Sequence, residues 1–371
     1  MAVIMNAAFA LNNFRGPLIA DLVSTGATVY GLAPDFDHYE RERLRAIGGT
    51  PVDYGLHRTG LNPVRETINF IRLIGILRGL RVDTVLACFI KPAIYGTLAA
   101  NIVRVPCRQA MIEGLGYAFT DADGASWKRQ TLQRIVSFLL SRSIKFAHTV
   151  YFLNDEDQQL FIDKRLVRSD TAVRLDGIGV DLDQFRFAPP VSDPVTFLMV
   201  ARALREKGIY EFIGAAKEIK QDWPTARFVL AGGLDSNPGA VARDQLEQWE
   251  REGILTWRGH VDDVSEELKR ASVFVLPSWR EGSPRSTQEA MAMGRPVITT
   301  AAPGAKDTVV EGVNGYLVPV RDPSALASAM RRFLNNPSQI ASMGVASRAL
   351  AESRYDVRQI NARILSRMGF H

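Results

Sequence analysis

The sequence of 371 residues contains only two cysteines, Cys88 and Cys107. It also lacks an apolar run of the roughly 18 residues that a transmembrane helix needs. The thiols lie in no Cys-x-x-Cys motif and no metal-ligand spacing, which argues against a disulfide framework and indicates a reducing compartment. Residues 1–9 lack the basic residues that precede the apolar run of a signal peptide, so they are typical of a first core strand. We therefore expect a cytoplasmic protein without a membrane span.

The charge is mildly positive and unevenly distributed. The net charge is +5, and residues 1–150 hold 17 Lys and Arg against 11 Asp and Glu, whereas residues 191–371 hold 23 against 21. A basic first half suits an anionic membrane surface, an anionic lipid-linked substrate or nucleic acid. Because no nucleic-acid-binding module accompanies it, we expect no nucleic-acid partner.

Short apolar runs alternate with helix-period stretches along the chain, a pattern typical of parallel α/β sheets. The first series of predicted strands is Ala2–Met5, Thr28–Leu32, Thr84–Cys88, Arg108–Ile112 and Val150–Leu153. The second series is Thr196–Val200, Arg227–Ala231, Ile254–Trp257, Val273–Leu276, Val297–Thr299 and Gly315–Val318. The Pro-rich, aperiodic stretch Phe185–Pro194 between them predicts a linker.

This pattern predicts two Rossmann-like, doubly wound parallel-sheet domains of the α/β class. The first spans residues 1–188 and the second residues 189–355, and a C-terminal helix at about 356–371 could pack back onto the first. Ligands of such sheets bind at the carboxyl ends of the strands, so we expect the two domains to face each other across a cleft.

The segment after the apolar run Val273–Ser278 combines two carboxylates with a helix start. It reads Glu281-Gly-Ser-Pro-Arg-Ser-Thr-Gln-Glu289. If the helix begins near Ser286, Glu281 lies in the loop before it and Glu289 lies in its first turn, beside free backbone N–H groups. Those groups, near Gly282 and Ser283, suit a phosphate, and the carboxylates suit sugar hydroxyls, so the segment predicts a nucleotide-sugar site. Stabilisation of the helix itself is the alternative role of a first-turn carboxylate.

Basic residues follow the first strand of the second domain. Arg202 and Lys207 flank the turn before a predicted helix at Ile209–Lys220, where they would clamp a diphosphate. The alternative is a solvated loop with incidental basic residues. Gly233 and His260 lie at equivalent strand ends, and the loop of His260 could hold a nucleobase or be an ordinary turn.

The first domain has its own polar residues and glycines after predicted strands. The acceptor or cleft candidates are Asn13, Arg15, Lys91, Glu113, Gly114 and Gly116. Asn13 and Arg15 are expected at the first strand–helix junction, before a helix predicted at Pro17–Ser24. The glycines would let the backbone approach a ligand closely, although a Gly-x-Gly is more often a turn. Residues 127–145 form a basic amphipathic helix without an acid, which is either a core helix or an interfacial helix drawn to anionic lipid head groups.

These motifs together resemble the retaining glycosyltransferases of family 4, which have the GT-B fold. The resemblance covers essentially the whole chain. Its segments in the second domain are Arg202 with Lys207-Gly208, the pair Glu281 and Glu289, Gly294–Thr299 and Glu311–Val318. In the first domain, Lys91–Ala100 and Glu113–Gly116 are similar to a subgroup that extends polyprenyl-diphosphate-linked sugars for O-antigen, capsule or bacterial N-glycans.

The resemblance implies a role for each residue of the second domain. Arg202 and Lys207 would neutralise the donor diphosphate as it leaves, and the amides after Gly282 would complete the donor cradle. Glu289 would bind the ribose hydroxyls, and Glu281 would bind the transferred sugar near its anomeric carbon. No metal and no other cofactor is implied, because the two cations and the helix terminus stabilise the leaving group.

One family feature has no counterpart. Many members carry a first-domain His that faces the donor sugar, whereas this chain has Phe89, Ile90 and Lys91 after the strand, so that role is unassigned. The resemblance implies front-face attack with retention, in which the leaving phosphate takes the proton of the acceptor.

The sequence therefore predicts a retaining transferase that moves a hexose or N-acetylhexosamine from a nucleotide diphosphate sugar to a polyprenyl-diphosphate-linked saccharide. We expect a UDP-sugar as the favoured donor, with GDP-mannose as the second candidate. We expect the protein to lie peripherally on the inner face of the cytoplasmic membrane. The alternatives are a transferase with a soluble acceptor and a two-lobed sugar-binding protein. The absence of Gly-x-Gly-x-x-Gly after the first strand argues against a nicotinamide-dependent oxidoreductase.

Overall fold

The computed structural model describes residues 1–56, 63–114, 127–235, 237 and 239–370. The chain forms two compact units, one of Met1–Ile178 with Arg358–His371 and the other of Gly179–Val357. Within the described part of the chain, no helix has both the length and the apolar character needed to cross a bilayer.

The first unit is built on a seven-stranded parallel sheet. Its strands are β1 (Ala2–Ile4), β2 (Tyr30–Ala33), β3 (Thr50–Asp53), β4 (Thr84–Cys88), β5 (Cys107–Ile112), β6 (Thr149–Phe152) and β7 (Ala172–Arg174). Its helices are α1 (Ala8–Ser24), α2 (His38–Ala46), α3 (Pro63–Leu80), α4 (Ile90–Ile102), α5 (Trp127–Ser143) and α6 (Asp155–Asp163). The strand order is β3-β2-β1-β4-β5-β6-β7.

The second unit is built on a six-stranded parallel sheet. Its strands are β8 (Thr196–Val200), β9 (Arg227–Ala231), β10 (Thr256–Trp257), β11 (Val273–Leu276), β12 (Val297–Thr300) and β13 (Gly315–Val318). Its helices are α7 (Ile209–Asp222), α8 (Arg243–Arg251), α9 (Ser265–Lys269), α10 (Arg285–Ala292), α11 (Pro323–Asn335) and α12 (Ser338–Arg354), and α13 (Val357–Met368) follows. The strand order is β10-β9-β8-β11-β12-β13.

Each sheet reverses its strand order beside its own first strand. In the first unit β1 lies between β2 and β4, and in the second β8 lies between β9 and β11. Such a reversal opens a crevice at the carboxyl edge, which is where ligands of doubly wound sheets bind. Both faces of the sheets are covered; in β1, for example, Val3 packs in one apolar cluster while Ile4 packs in another.

Helix α13 packs on the first unit although it ends the chain. Ile360 and Ile364 are buried in the same apolar cluster as Leu18 and Ile19 of α1. The Asn361 side chain donates a hydrogen bond to the Asp21 carboxylate at 2.7 Å. The first unit is therefore assembled from both ends of the chain.

The boundary between the units lies after Ile178 instead of after residue 188. The Pro-rich stretch predicted as a linker packs on the second unit: Phe185 is buried in its core, and Arg295 donates to the Ala188 carbonyl. Gly179, at φ +84°, marks the crossing, since a Cβ there would lie 2.6 Å from the Val357 Cα. Pro-rich composition here reflects an extended segment on a surface, which sequence patterns do not distinguish from a linker.

We expect Ile360→Ala to destabilise the first unit by about 2–5 kcal/mol, since it opens a cavity in a packed core. The matched change Ile340→Ala removes an equally buried side chain of the second unit. Calorimetry should show that each variant lowers the midpoint temperature of a different unfolding transition. A common shift of both transitions in both variants would contradict the assignment of α13 to the first unit.

Candidate active site

Three loops at the carboxyl edge of the second sheet are bonded to one another. They are the clamp loop (residues 201–208, after β8), the β9 loop (residues 232–241) and the β11 loop (residues 277–284). The Ala203 amide donates to the Gly233 carbonyl at 3.0 Å, and the Trp279 amide donates to the Glu206 carbonyl at 3.0 Å. The clamp loop is therefore fixed by a neighbour on each side.

Two glycines allow this close approach. Gly208 has φ +82°, and a Cβ there would lie 2.1 Å from the Pro277 carbonyl oxygen. A Cβ on Gly232 would lie 1.7 Å from the Ala201 carbonyl oxygen. Since real Cβ atoms do not make such contacts, both positions require glycine.

Lys207 and Glu281 form an ion pair between the clamp loop and the β11 loop. The Lys207 Nζ lies 2.7 Å from Oε1 and 2.8 Å from Oε2 of Glu281, across 74 positions of sequence. Both side chains are largely buried. The Glu281 amide donates to the Pro303 carbonyl at 3.1 Å, which fixes the backbone beneath the carboxylate. The structure thus brings together two residues that the sequence predicted for one site.

Arg202 forms an ion pair with Asp235 of the β9 loop, a residue that the sequence analysis missed. The Asp235 side chain is 3% exposed, and its Oδ1 accepts the Asn237 amide at 2.9 Å. The Arg202 side chain is 50% exposed, so Asp235 holds one part of the guanidinium and leaves the rest open to solvent. A carboxylate just after a Gly-Gly at a strand end was the sequence signal for it.

Helix α10 begins at Arg285, so Glu289 lies one full turn inside the helix and not in its first turn as predicted. No side chain caps the helix start. The Nε of Arg285 donates to the Glu289 Oε1 at 2.8 Å. Burial raises the pKa of Glu289 above its usual range, although the Arg285 charge opposes that shift. Helix-dipole stabilisation therefore does not explain this carboxylate.

The loop before α10 presents Gly282 and Ser283. Gly282 is buried, and a Cβ added to Gly304 would lie 2.4 Å from the Gly282 carbonyl oxygen. The Ser283 hydroxyl accepts a hydrogen bond from the Gln288 amide group at 2.7 Å. The loop therefore packs against the turn at Gly304 and is hydrogen-bonded to the Gln288 side chain of α10.

An open groove of about 400 Å³ lies beside the β9 loop. Gly233, His260 and Trp257 line it together with Arg243, whose guanidinium lies 5.4 Å from the centre of the Trp257 ring. The Trp257 Nε1 donates to the Gly232 carbonyl at 2.9 Å, which fixes the indole. His260 is solvent-exposed and lies 3.3 Å from Asp262, at the groove's margin.

In the first unit, Asn13 and Arg15 lie inside α1, not at a strand–helix junction as predicted. The helix begins earlier because the Asp35 carboxylate accepts the Ala8 amide at 2.6 Å and satisfies the helix start. Arg15 is buried, and its Nη2 lies 2.6 Å from Oε1 of the equally buried Glu113. Two of the predicted first-domain residues therefore form one buried ion pair.

The remaining first-domain candidates have other partners. The Asn13 side chain accepts from Arg43 at 2.9 Å, and Lys91 lies 3.0 Å from Glu66 of α3. Gly114 has φ +148°, a backbone conformation that favours glycine. Gly116 lies outside the described residues.

The cysteine beside Arg15 is not a nucleophile. The Cys88 Sγ accepts from the Arg15 Nε at 3.5 Å, and burial raises the pKa of the Cys88 thiol to about 12. It is protonated at neutral pH.

Among the residues that the structure describes, no cluster of three or more His, Cys, Asp or Glu side chains could hold a metal ion.

Comparison with known proteins gives a family match for part of the chain. The family described as "Glycosyl transferases group 1" matches residues 194–336, which contain all three loops and α10. This segment is a group 1 glycosyltransferase domain.

Two curated relatives match more of the chain. The N,N'-diacetylbacillosaminyl-diphospho-undecaprenol α-1,3-N-acetylgalactosaminyltransferase of Campylobacter jejuni is 28% identical over 89% of this chain and 88% of its own. The UDP-Gal:α-D-GlcNAc-diphosphoundecaprenol α-1,3-galactosyltransferase of Escherichia coli is 26% identical over 72% of this chain and 70% of its own.

The fold is also that of a solved structure. Sucrose-phosphate synthase from Thermosynechococcus elongatus superposes with a TM-score of 0.80 at 19% identity, over 99% of this chain and 98% of that one. The chain thus has the GT-B fold, as the sequence predicted.

We expect Gly208→Ala to disrupt the site, because its Cβ would collide with the Pro277 carbonyl and push the clamp loop from the β11 loop. Gly312→Ala is the matched control, since Gly312 has φ +73° and no atom within 4 Å of its added Cβ. The control carries only the left-handed backbone penalty of about 1–2 kcal/mol. Urea unfolding should show a larger loss for Gly208→Ala; equal losses would contradict the steric account.

We expect Glu289→Gln to raise the melting temperature of the unliganded protein at neutral pH. When folding raises the pKa of a carboxyl group, the free energy of unfolding falls as the pH rises above the pKa of that group in the unfolded chain, which is about 4.3. Glutamine removes that loss and can still accept from Arg285. The gain should therefore shrink in acidic buffer, and a gain that is the same at all pH values would contradict the assignment.

Proposed function

We propose that the protein is a retaining glycosyltransferase of family 4. It transfers a hexose or N-acetylhexosamine from a nucleotide diphosphate sugar, a UDP-sugar in the first instance, to a polyprenyl-diphosphate-linked saccharide at a membrane surface. In this proposal it serves the synthesis of a bacterial surface polysaccharide or glycan. GDP-mannose is the second candidate donor.

The observation that carries the proposal is the convergence of Lys207, Glu281 and Arg202 on one sheet edge. A donor of this class brings a diphosphate, which needs cations, and a sugar, whose hydroxyls need acceptors. The clamp loop supplies the two cations, and the β11 loop supplies a carboxylate bonded to one of them at 2.7 Å. Arg202 and Lys207 would bind the diphosphate, and Glu281 would bind the transferred sugar.

Further residues complete the proposed donor site. Gly282 and Ser283 lie at the uncapped start of α10, where backbone N–H groups favour a phosphate. Glu289 would accept from the ribose hydroxyls. The groove at Gly233 and His260 would hold the base, with the Trp257 face as its apolar wall.

In the proposed reaction, the bond between the anomeric carbon and the β-phosphate oxygen breaks. The acceptor hydroxyl oxygen bonds to that carbon on the same face, and its proton passes to the leaving phosphate. Negative charge therefore grows on the diphosphate, and Lys207 and Arg202 would stabilise it in a site that is partly shielded from water. We propose that no metal ion or other cofactor takes part, since these two cations suit that role.

Asp235 and Arg285 would act as positioning residues. In the unliganded protein, Asp235 restrains Arg202, and Arg285 restrains Glu289. A diphosphate would meet the solvent-facing N–H groups of Arg202 without displacing Asp235. Holding the side chains before binding lowers the conformational entropy lost when the donor arrives.

The acceptor is proposed from the relatives and from the first unit. Both curated relatives are named for undecaprenol-diphosphate-linked acceptors. Glu113, Gly114, Arg15, Lys91 and Asn13 follow or adjoin strands of the first sheet, and we propose that this edge receives the acceptor. The buried Arg15–Glu113 pair would orient the Glu113 carboxylate, while Gly116 remains a sequence-based candidate.

A soluble acceptor and a non-catalytic sugar-binding protein are the rival functions. A sugar-binding protein would not need two cations beside a carboxylate. A nicotinamide cofactor at β1 is disfavoured, because the Asp35 carboxylate occupies the α1 start that would face its diphosphate.

We expect Arg202→Ala, Lys207→Ala and Glu289→Ala each to lower turnover by roughly 10²–10³-fold or more, with the fold intact. Lys217→Ala is the control, since Lys217 is an exposed cation on α7 that lies 3.7 Å from Glu252. Turnover would be measured with radiolabelled donor and circular dichroism would check the fold. Near-normal rates in the first three variants would refute the site.

We expect one nucleotide class to raise the melting temperature among UDP, GDP, ADP, dTDP and their sugars. A ligand at a hundred times its dissociation constant adds about 2.7 kcal/mol of stability. The proposal expects stabilisation by the UDP series, unchanged by EDTA. Stabilisation that EDTA abolishes would contradict the metal-independent clamp, and no stabilisation by any nucleotide would favour the sugar-binding alternative.

A further inference from the structure

The outer face of α3 exposes apolar side chains to solvent. Val64, Ile68 and Ile71 are all exposed, Ile71 to 62%, and their spacing places them on one side of the helix. Arg65 and Arg72 are exposed beside them. An ordinary surface helix turns its polar face outward, so this stripe indicates a contact with an apolar environment.

The acidic side of α3 is already neutralised. Its only acid, Glu66, is mostly buried and pairs with Lys91 of α4 at 3.0 Å. The exposed part of the helix therefore combines apolar and positive side chains with one hydroxyl, that of Thr67, and no acid. That combination is typical of helices that lie on anionic lipid.

A pocket of about 490 Å³ lies where α3 and α4 end, and three arginines line it. These are Arg78, Arg81 and Arg104, over walls that include Val105 and Ile102. No acid lines the pocket, and none of the three arginines forms an ion pair with any residue that the structure describes. Arg81 and Arg104 have φ +49° and +61°, where glycine would be less strained. Three unpaired guanidinium groups around one cavity suit a phosphate group.

Helix α5 lies on the same face of the sheet as α3. Ala87 of β4 and Ala110 of β5 are register partners, so both point to one face; Ala87 packs in the cluster that includes α3, and Ala110 in the cluster that includes α5. On α5, Phe138 is exposed, with the Arg142 guanidinium 5.3 Å from its ring centre. The apolar and basic character of α3 thus recurs on a second helix of this face.

We propose that the outer face of α3 and the arginine pocket at its end bind anionic phospholipid, which holds the first unit on a bilayer. The apolar stripe enters the interfacial region, and the three arginines of the pocket bind a lipid phosphate. This deepens the proposed function, since it names the surface by which the enzyme meets the membrane that carries its acceptor.

The first test is sedimentation of the full chain with vesicles of phosphatidylcholine, with and without phosphatidylglycerol. We expect binding to the phosphatidylglycerol vesicles, which added salt weakens. The double variant Arg78→Gln with Arg104→Gln should bind them roughly 25-fold more weakly, since each arginine near an anionic surface contributes about fivefold. The control is Arg227→Gln with Arg354→Gln, which removes two exposed arginines of the second unit and should reduce binding far less.

The second test addresses the apolar stripe. Ile71→Glu should abolish vesicle binding, whereas Val345→Glu on α12, where Val345 is 60% exposed, should leave it largely intact. Both variants place a charge on an exposed helix position, so folding should be preserved in both. Equal vesicle binding by these two variants would overturn the role of α3.

Other occupants of the surface give different results. If the pocket takes a free polyanion, inorganic pyrophosphate should raise the melting temperature in an Arg78-dependent way while vesicle binding is unaffected, which would overturn the proposal. If a second copy of the chain covers α3, Ile71→Glu should change the mass measured by light scattering, which would also overturn it.

The vesicle, melting-temperature and light-scattering measurements use no sugar donor. A variant that loses vesicle binding should still transfer sugar to a short-chain, water-soluble acceptor analogue, so failure of the membrane surface and failure of the proposed reaction are distinguishable.

Discussion

The close packing of the clamp loop between its neighbours is the constraint on which the donor site depends. The loop can take its place only because Gly232 and Gly208 lack side chains: a Cβ on either would lie 1.7 Å or 2.1 Å from a carbonyl oxygen. This packing sets the distance between Lys207 and Glu281, which lie on loops of different strands. Replacing either glycine therefore acts on the charges of the site through backbone position, not through the chemistry of the side chains.

The charged groups of the proposed donor site form three separate pairs, Arg202 with Asp235, Lys207 with Glu281 and Arg285 with Glu289. Each cation is thus held beside a carboxylate before any ligand arrives. Partly buried ion pairs contribute little net stability, because desolvation offsets much of their attraction. Their value lies in orientation: a diphosphate would find cations already in place, and charge that grows during transfer would be stabilised without rearrangement.

The sequence predicted both sheets, because β11 and its neighbours are short, mostly apolar and buried runs, and it predicted the shared location of Lys207 and Glu281 from the loops that follow β8 and β11. It missed β3 and β7, which are edge strands with few buried residues and no apolar run. Asp235 was missed because its partner Arg202 lies 33 positions away, and its place after Gly232-Gly233 marks a strand end without indicating the partner. The start of α1 was misplaced for the same reason, since its cap comes from Asp35 after the next strand.

The most direct test of the account compares the affinities of UDP and UMP for the wild-type protein and for Lys207→Ala by calorimetry. If Lys207 and its neighbours form a diphosphate clamp, the wild type should bind UDP far more tightly than UMP, and Lys207→Ala should lose most of that difference while UMP binding stays nearly constant. If the wild type binds the two nucleotides equally, or if Lys207→Ala keeps the full preference for UDP, the clamp does not exist as described.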